Sequence, residues 1–358
     1  MSAGIAGGEG SLVSPRSLPK PDSSSAHTAS QYTAFCSLIL RGNHSSSSPV
    51  TPSPPSSSAP SCSFSPRSPS SSAAAPPHLK ELRRMILLDG LPSKHAKVQV
   101  LRQQVWKILL GIRELNASRY IGLVQLGPSA HHYHICQDSF RTFGGATVDE
   151  KALQRVMNAF FHAAGHNIHS YVQGLNLFAG MFLYVMPELD AFHCFERFVS
   201  FHCPRYASGA DGMSGVHDAT KLADSLLRIL DPDLYQHLME HDMRDMRLMW
   251  SFSYLLSFNT FSKPLNEAVI LWDFLLAFGV HMNVVCTVAR IILLREELMD
   301  TKKPFQDFIA HTGAPPLDAR RVITLTLQLY PLIPAPLLQA ITDHTHIPIE
   351  PSLLSDEN

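Results

Sequence analysis

Leu101-Arg102-Gln103-Gln104-Val105-Trp106-Lys107-Ile108-Leu109-Leu110-Gly111 sets apolar side chains at Leu101, Val105, Ile108 and Leu109, the three-and-four spacing of one helix face. The same spacing returns at Leu222, Leu226, Leu227 and Leu230. Alternation with period two is scarce from Leu79 onward, so the body reads as all-α. Breaks at Gly90/Pro92, Gly111, Gly127/Pro128, Gly144/Gly145, Pro187, Pro204, Pro232, Pro264, Gly279, Pro304, Pro315/Pro316 and Pro331/Pro334 cut it into segments of helical length. Helices are predicted near 79–88, 96–110, 149–163, 174–186, 189–202, 217–230, 232–241, 245–256, 265–278, 282–299 and 317–329. No repeat of fixed period is evident, which weighs against a solenoid.

The flanks have a different composition. Residues 45–77 contain 15 Ser and 9 Pro, types that bury little and resist regular structure. Residues 1–78 are therefore expected to form a disordered Ser/Pro-rich tail, 79–345 a two-lobed multi-helix domain, and 346–358 a flexible C-terminal tail. Within the first tail the apolar run Tyr32–Leu40 is open to a short strand or helix packed on the body. Ser-Pro or Thr-Pro at Ser14, Ser48, Thr51, Ser53, Ser65 and Ser68 are either proline-directed phosphorylation sites or a by-product of composition.

Among the 358 residues, 29 Lys+Arg stand against 30 Asp+Glu, a formal net charge of −1. Bulk charge does not hold such a chain on a polyanion, so no nucleic acid partner is expected. No apolar run approaches the roughly 18 residues of a membrane span, so no membrane insertion is expected. The N-terminus does not read as a secretory signal. The cysteines Cys36, Cys62, Cys136, Cys194, Cys203 and Cys286 are scattered without a C-x-x-C, as reduced thiols of a cytoplasmic protein are.

Several patterns suggest chemistry. His237-Leu238-Met239-Glu240-His241 matches the inverted zincin H-x-x-E-H, but Met239, Met243, Met246 and Met249 run through the same stretch as a core stripe. His193-Cys194 and His202-Cys203 have zinc-binding types, yet they fall in one predicted helix interleaved with Phe192, Phe195, Phe198 and Phe201. No bound metal is expected. Phosphate-binding loops and a hydrolase elbow lack their usual signals. Two polar islands escape the helical period: Asp138-Ser139-Phe140-Arg141-Thr142-Phe143 before Gly144-Gly145, and Tyr171-Val172-Gln173-Gly174-Leu175-Asn176 at the opening of an apolar helix.

With those islands the sequence resembles the TBC family, the all-helical GTPase-activating domains of Rab-type small GTPases. Arg102 and Trp106-Lys107-Ile108-Leu109-Leu110-Gly111 resemble its R-x-x-x-W-x-x-L-L-G, and Asp138-Ser139-Phe140-Arg141-Thr142 its D-x-x-R-T. Tyr171-Val172-Gln173-Gly174 resembles its Y-x-Q-G, and Leu271-Trp272-Asp273-Phe274-Leu275 its late W-D-x-L. The four motifs stand in order over about 200 residues, and the resemblance covers residues 79–345. Tyr184–Leu189, Cys203-Pro204, Gly215–His217, Asp231–Tyr235 and His281–Val285 narrow the likeness to the fungal mitotic-exit and septation branch.

The resemblance implies a GTPase activator that supplies catalytic groups in trans rather than a stand-alone hydrolase. Arg141 matches the arginine finger and Gln173 the glutamine finger; Asp138, Thr142, Tyr171 and Gly174 match supporting positions, with Asn176 shaping the glutamine-bearing turn. Asp138, three residues before Arg141, is within reach of its guanidinium on one helical turn. Arg102 stands at the family's early arginine, with a positioning role or a plain place on the helix surface. Trp106 and Trp272 are expected to be structural anchors. GTP and Mg²⁺ would be carried by the partner, a Rab- or Ras-like GTPase of the septation or mitotic-exit network, with a scaffold subunit and a place at the spindle pole body. The rival reading is a non-catalytic TBC module that binds a GTPase or scaffold. The segment between Arg141 and Gln173 looks shortened against related septation-type members.

Overall fold

The computed structural model of the chain describes residues 23–44, 76–145, 147–165, 171–207, 213–240, 252–300 and 316–350. Among them all regular structure is helical. One lobe is built from α3 (Val98–Leu109), α4 (Ala117–Gln125), α5 (His132–Ser139), α6 (Glu150–Ala164), α7 (Leu175–Val185) and α8 (Glu188–Arg197). The other contains α9 (Ser214–Leu230), α10 (Pro232–Glu240), α11 (Leu265–Phe278), α12 (Asn283–Leu293), α13 (Arg295–Met299), α14 (Ala319–Leu329) and α15 (Ala335–Asp343). Two helices precede them, α1 (Ser23–His44) and α2 (Pro77–Asp89), with α2 lying on α11.

Two helices are apolar on nearly every face and so have to sit inside. One is α7, buried from Leu175 through Phe182, and the other is α11, buried from Leu271 through Ala277. Their aromatic side chains meet between the lobes. Phe182 stands edge-on to Trp272 with ring centres 5.5 Å apart, Trp106 of α3 lies against Trp272 at 5.8 Å, and Phe198 stacks on it at 5.1 Å. Trp106 and Trp272 are thus the anchors that their motifs suggested.

The polar ends of those tryptophans are satisfied. Trp106 Nε1 donates to Asp273 Oδ1 at 2.7 Å, and Trp272 Nε1 donates to the Phe258 carbonyl at 3.0 Å. Asp273 also accepts from Arg102, through Nε at 2.9 Å and through Nη2 at 3.0 Å. The first and last family-like motifs therefore close on one another in the core. Burial pushes the Asp273 carboxyl above the usual carboxylate range, against the opposing pull of Arg102.

Where sequence and structure differ, the reason is local. Residues 282–299 are not one helix: the chain breaks at Leu294 between α12 and α13. Of the stretch predicted at 245–256, only 252–256 is described, and it is helical. The predicted 189–202 helix ends as α8 at Arg197 and continues as a wider π turn, Phe198–His202. Helices α4, α5 and α15 were not anticipated. Gly122, a run of histidines and the Pro331/Pro334 pair obscure their periods.

The tail is not uniformly without structure. Residues 23–44 form α1, which rests on α2 and α3 with Phe35 and Ile39 buried. Of the two conformations open to Tyr32–Leu40, the helix is adopted. Gln31 Nε2 donates to the Gly90 carbonyl at 3.0 Å and the Tyr32 ring stacks on His95 at 3.9 Å. The Ser-Pro and Thr-Pro sites lie outside the described residues. At the other end, residues 346–350 are held rather than loose: Arg205 Nη1 donates to the His344 and Ile347 carbonyls at 2.8 and 3.1 Å. Asp218 pairs with Arg205 at 2.8 Å and accepts from Ile349 N at 3.4 Å.

Candidate functional site

The site begins at the C-terminal end of α5. Its inner side is fixed by Ile135, Asp138 and Ser139, all buried. Ser139 Oγ donates to the Ile135 carbonyl at 2.6 Å and Thr142 Oγ1 to the Asp138 carbonyl at 2.9 Å, so the helix end is tied off by its own side chains. Arg141 stands just beyond that end with its side chain 55% exposed. The chain then reverses through Phe143, a non-glycine residue at φ 52°. Such a conformation persists where packing over-determines it. Here the Phe143 ring lies against α7 at Gly180, where a Cβ would meet Phe143 Cε2 at 3.0 Å and Thr142 Cγ2 at 2.9 Å.

Gln173 is exposed on the turn that opens α7. Gly174, at φ 109°, bends the backbone there, with the Leu256 side chain 3.2 Å from where a Cβ would stand. With no capping side chain at Gly174, Asn176 does the work from inside the helix. Its Oδ1 accepts from Gly174 N at 3.2 Å, and its Nδ2 donates to Thr142 Oγ1 at 3.0 Å.

Two cross-links therefore join the polar islands. The second runs through Asp138, which is 4% exposed. Its Oδ2 accepts from the Tyr171 hydroxyl at 2.6 Å, and its Oδ1 accepts from Arg141 Nη2. Burial, then the hydrogen bond to Asp138, raise the Tyr171 phenol far above its ordinary range, so it remains a donor at any working pH. The His134 ring stacks on Tyr171 at 5.7 Å, and the Phe161 ring is tilted against it at 5.8 Å. Arg141 is bracketed by Asp138 and Thr142, Gln173 by Tyr171 and Asn176, and the brackets are bonded to each other. The arrangement presents one cation and one amide to solvent from a rigid base.

The profile of the Rab-GTPase-TBC domain family matches residues 99–299. The chain belongs to this family. The mitotic check point protein BUB2 of Dictyostelium discoideum is 36% identical over 287 residues, 75% of this chain and 75% of the relative. Cell division control protein 16 of Schizosaccharomyces pombe is 32% identical over 272 residues, 74% of this chain and 88% of the relative. In fold, the chain is similar to the crystal structure of the Chlamydomonas flagellar RabGAP TBC domain, with a TM-score of 0.57 at 18% identity, covering 88% of this chain and 98% of that one. A small GTPase is the partner that a TBC domain implies.

Of the TBC residues singled out in the sequence, Asp138, Arg141, Thr142, Tyr171, Gln173, Gly174 and Asn176 come together. Arg102 does not join them. It is 6% exposed and committed to Asp273, which excludes the plain place on the helix surface of its two alternatives. The His193-Cys194 and His202-Cys203 pattern resolves into packing. Cys194 and Cys203 are fully buried, and burial pushes both thiols up. His193 Nε2 accepts from Asn116 N at 3.1 Å, and burial pushes His202 down to about 4. Among the described residues no group of three or more His, Cys, Asp or Glu is placed to hold a metal ion, and His241 lies outside them. No helix among the described residues is long and apolar enough to cross a membrane. Gly180 and the left-handed Phe143 leave no signal in the sequence, because both act through a contact between α7 and the arginine turn.

Proposed function

We propose that this TBC domain accelerates GTP hydrolysis on a small GTPase by inserting Arg141 and Gln173 into the partner's nucleotide site. One observation carries the reading: both side chains stand exposed on turns that the buried Asp138–Tyr171 and Thr142–Asn176 bonds lock together. Hydrolysis spreads negative charge over the transferred phosphoryl and its bridging oxygens, and a guanidinium placed there stabilises it. Arginine keeps its charge at any physiological pH. The Gln173 amide is placed to orient the attacking water, the role that a glutamine of the GTPase otherwise fills. Locking the two turns to each other keeps both groups in register, which matters because small misplacements are expensive in rate.

GTP and Mg²⁺ belong to the partner in this reading, and this chain contributes only side chains. The names of the Dictyostelium discoideum and Schizosaccharomyces pombe relatives speak of a mitotic check point and of cell division control, which supports a cell-cycle role; we place that role in mitotic exit and septation. The partner is then a Rab- or Ras-like GTPase of that network, working with a scaffold subunit at the spindle pole body.

The test is single-turnover GTP hydrolysis by a panel of Rab- and Ras-like GTPases, with wild type, Arg141→Ala and Gln173→Ala. Acceleration by wild type that falls by about 10³-fold or more in Arg141→Ala is the expected result. Binding without acceleration, unchanged in either variant, overturns catalysis in favour of a recruitment module.

A further inference from the structure

The arginine-bearing helix has an outward face that the locking network leaves unused. Tyr133, Gln137 and Phe140 follow one another at steps of four and three, so they share one face of α5, and Arg141 comes directly after them. Tyr133 is 68% exposed and Phe140 is 61% exposed, whereas Ile135, Asp138 and Ser139 on the inner side are buried. Gln137 Nε2 donates to the Tyr133 hydroxyl at 2.7 Å, which holds that ring along the helix surface. Helix α5 itself holds no Lys, Arg or Glu, and its one carboxylate, Asp138, is on the inner side, bonded to Tyr171 and Arg141.

Two large aromatic rings in water on a single helix face are uncommon unless something covers them. Continuity with Arg141 says what that is. A guanidinium at the phosphoryl group of a bound nucleotide carries the preceding residue, Phe140, against the protein wall around that nucleotide, with Tyr133 two turns behind along the same face. We infer that the Tyr133–Gln137–Phe140 face of α5 is the docking surface for the GTP-loaded small GTPase, with Phe140 and Tyr133 as its anchors and an uncharged, apolar surface beside the nucleotide opposite them. The inference rests on the reading of Arg141 as an arginine acting in trans. Aromatic anchors next to a polar catalytic group are a recurrent arrangement of interface hot spots. They contribute binding that is equal in ground and transition states, and so act on KM rather than kcat.

The experiment uses the full chain and a GTP-loaded GTPase from the panel that wild type accelerates. Phe140→Ala and Tyr133→Ala are compared with Leu126→Ala, another exposed apolar residue, which is 62% exposed and off this face. Phe140→Ala is expected to raise KM about tenfold with kcat within about twofold, Tyr133→Ala to do the same to a smaller degree, and Phe140→Leu to recover part of the loss. Leu126→Ala should leave both constants unchanged. All of these side chains are exposed, so folding is preserved, as circular dichroism checks. Unchanged KM in both aromatic variants overturns the docking face while leaving the arginine reading intact, and so does a loss confined to kcat. If wild type accelerates no member of the panel, the arginine reading fails separately. Direct binding of the GTP-loaded panel then decides: weakening by Phe140→Ala retains the docking face, and no binding, or binding that Phe140→Ala leaves unchanged, removes it.

Discussion

The Tyr171 hydroxyl donates to Asp138 Oδ2 at 2.6 Å, and the other oxygen of that carboxylate holds Arg141. One buried acid thus has a permanent partner on the glutamine-bearing turn and an exchangeable one on the arginine-bearing turn. In the proposed mechanism Arg141 leaves Asp138 for the nucleotide, and the Tyr171 bond then holds Asp138 in place.

Tyr171→Phe removes the hydroxyl and little else. A hydrogen bond to a charged group contributes about 1.5–3 kcal/mol. The expected outcome is a kcat lowered by about tenfold or more, with affinity for the GTP-loaded GTPase unchanged. An unaltered kcat would show that Asp138 needs no such support.

Gly180→Ala places a methyl where Thr142 Cγ2 is 2.9 Å and Phe143 Cε2 is 3.0 Å away. Alanine suits a helix, so the variant folds, but the turn after Arg141 has to move. Hydrolysis should fall while the urea midpoint stays within about 1 kcal/mol of wild type, given alanine's favourable propensity. Retained hydrolysis would mean that the turn can shift without moving Arg141.

Asp273→Asn leaves Arg102 charged and buried without its carboxylate. Breaking a buried pair from one side costs about 3–5 kcal/mol, which urea unfolding reads directly. The double variant Arg102→Met with Asp273→Asn should recover much of this, since asparagine still accepts from Trp106 Nε1. Equal losses in the single and double variants would refute the ion-pair account.

Phe35→Ala tests whether α1 belongs to the cooperative fold. The side chain is fully buried, and truncating a buried Phe costs about 3–5 kcal/mol. Leu40→Ala, on a residue that is 59% exposed, should stay within about 0.5 kcal/mol. Equal, small effects from both would detach α1 from the domain.

Burial pushes His202, His281 and His344 down to about 4. An unfolded histidine titrates near 6.5, so between about 6.5 and 4 the unfolded chain binds protons that the folded chain refuses. Their contribution is complete above the unfolded value and is lost as pH falls, by up to about 1.4 kcal/mol per pH unit for each group. Urea midpoints at pH 7.5 and 5 should show the acid-side loss, and His344→Gln should make it shallower. An identical slope in that variant would assign the loss elsewhere.

The helical class was legible because it is a local signal, and so were the two polar turns on which Arg141 and Gln173 stand exposed. The Asp138-to-Arg141 spacing alone places a carboxylate beside a guanidinium, as observed. Arg102 stayed open between two readings because its partner lies 171 positions away, and no spacing rule reaches that far. Helix α5 escaped notice because Ile135 is its one buried apolar side chain, and its remaining inward contacts are polar. Helix α1 was only partly legible, because the Ser/Pro-rich composition around Tyr32–Leu40 left strand and helix both open, while Phe35, Ile39, the Gln31 hydrogen bond and the Tyr32–His95 stack seat it as a helix.

The Arg102–Asp273 pair has a consequence for synthesis on the ribosome. At about 5–20 residues per second, the interval between the two residues leaving the peptidyl-transferase centre is on the order of ten to thirty seconds. For the later part of that time, once Arg197 has been added, the first lobe is complete in sequence, yet Trp106 has no Asp273 to receive its N–H and no Trp272 to cover its ring. The nascent chain therefore waits with an unpaired cation and an uncovered indole on the surface that will become the middle of the protein, a natural handle for chaperones that shield it until the second lobe arrives.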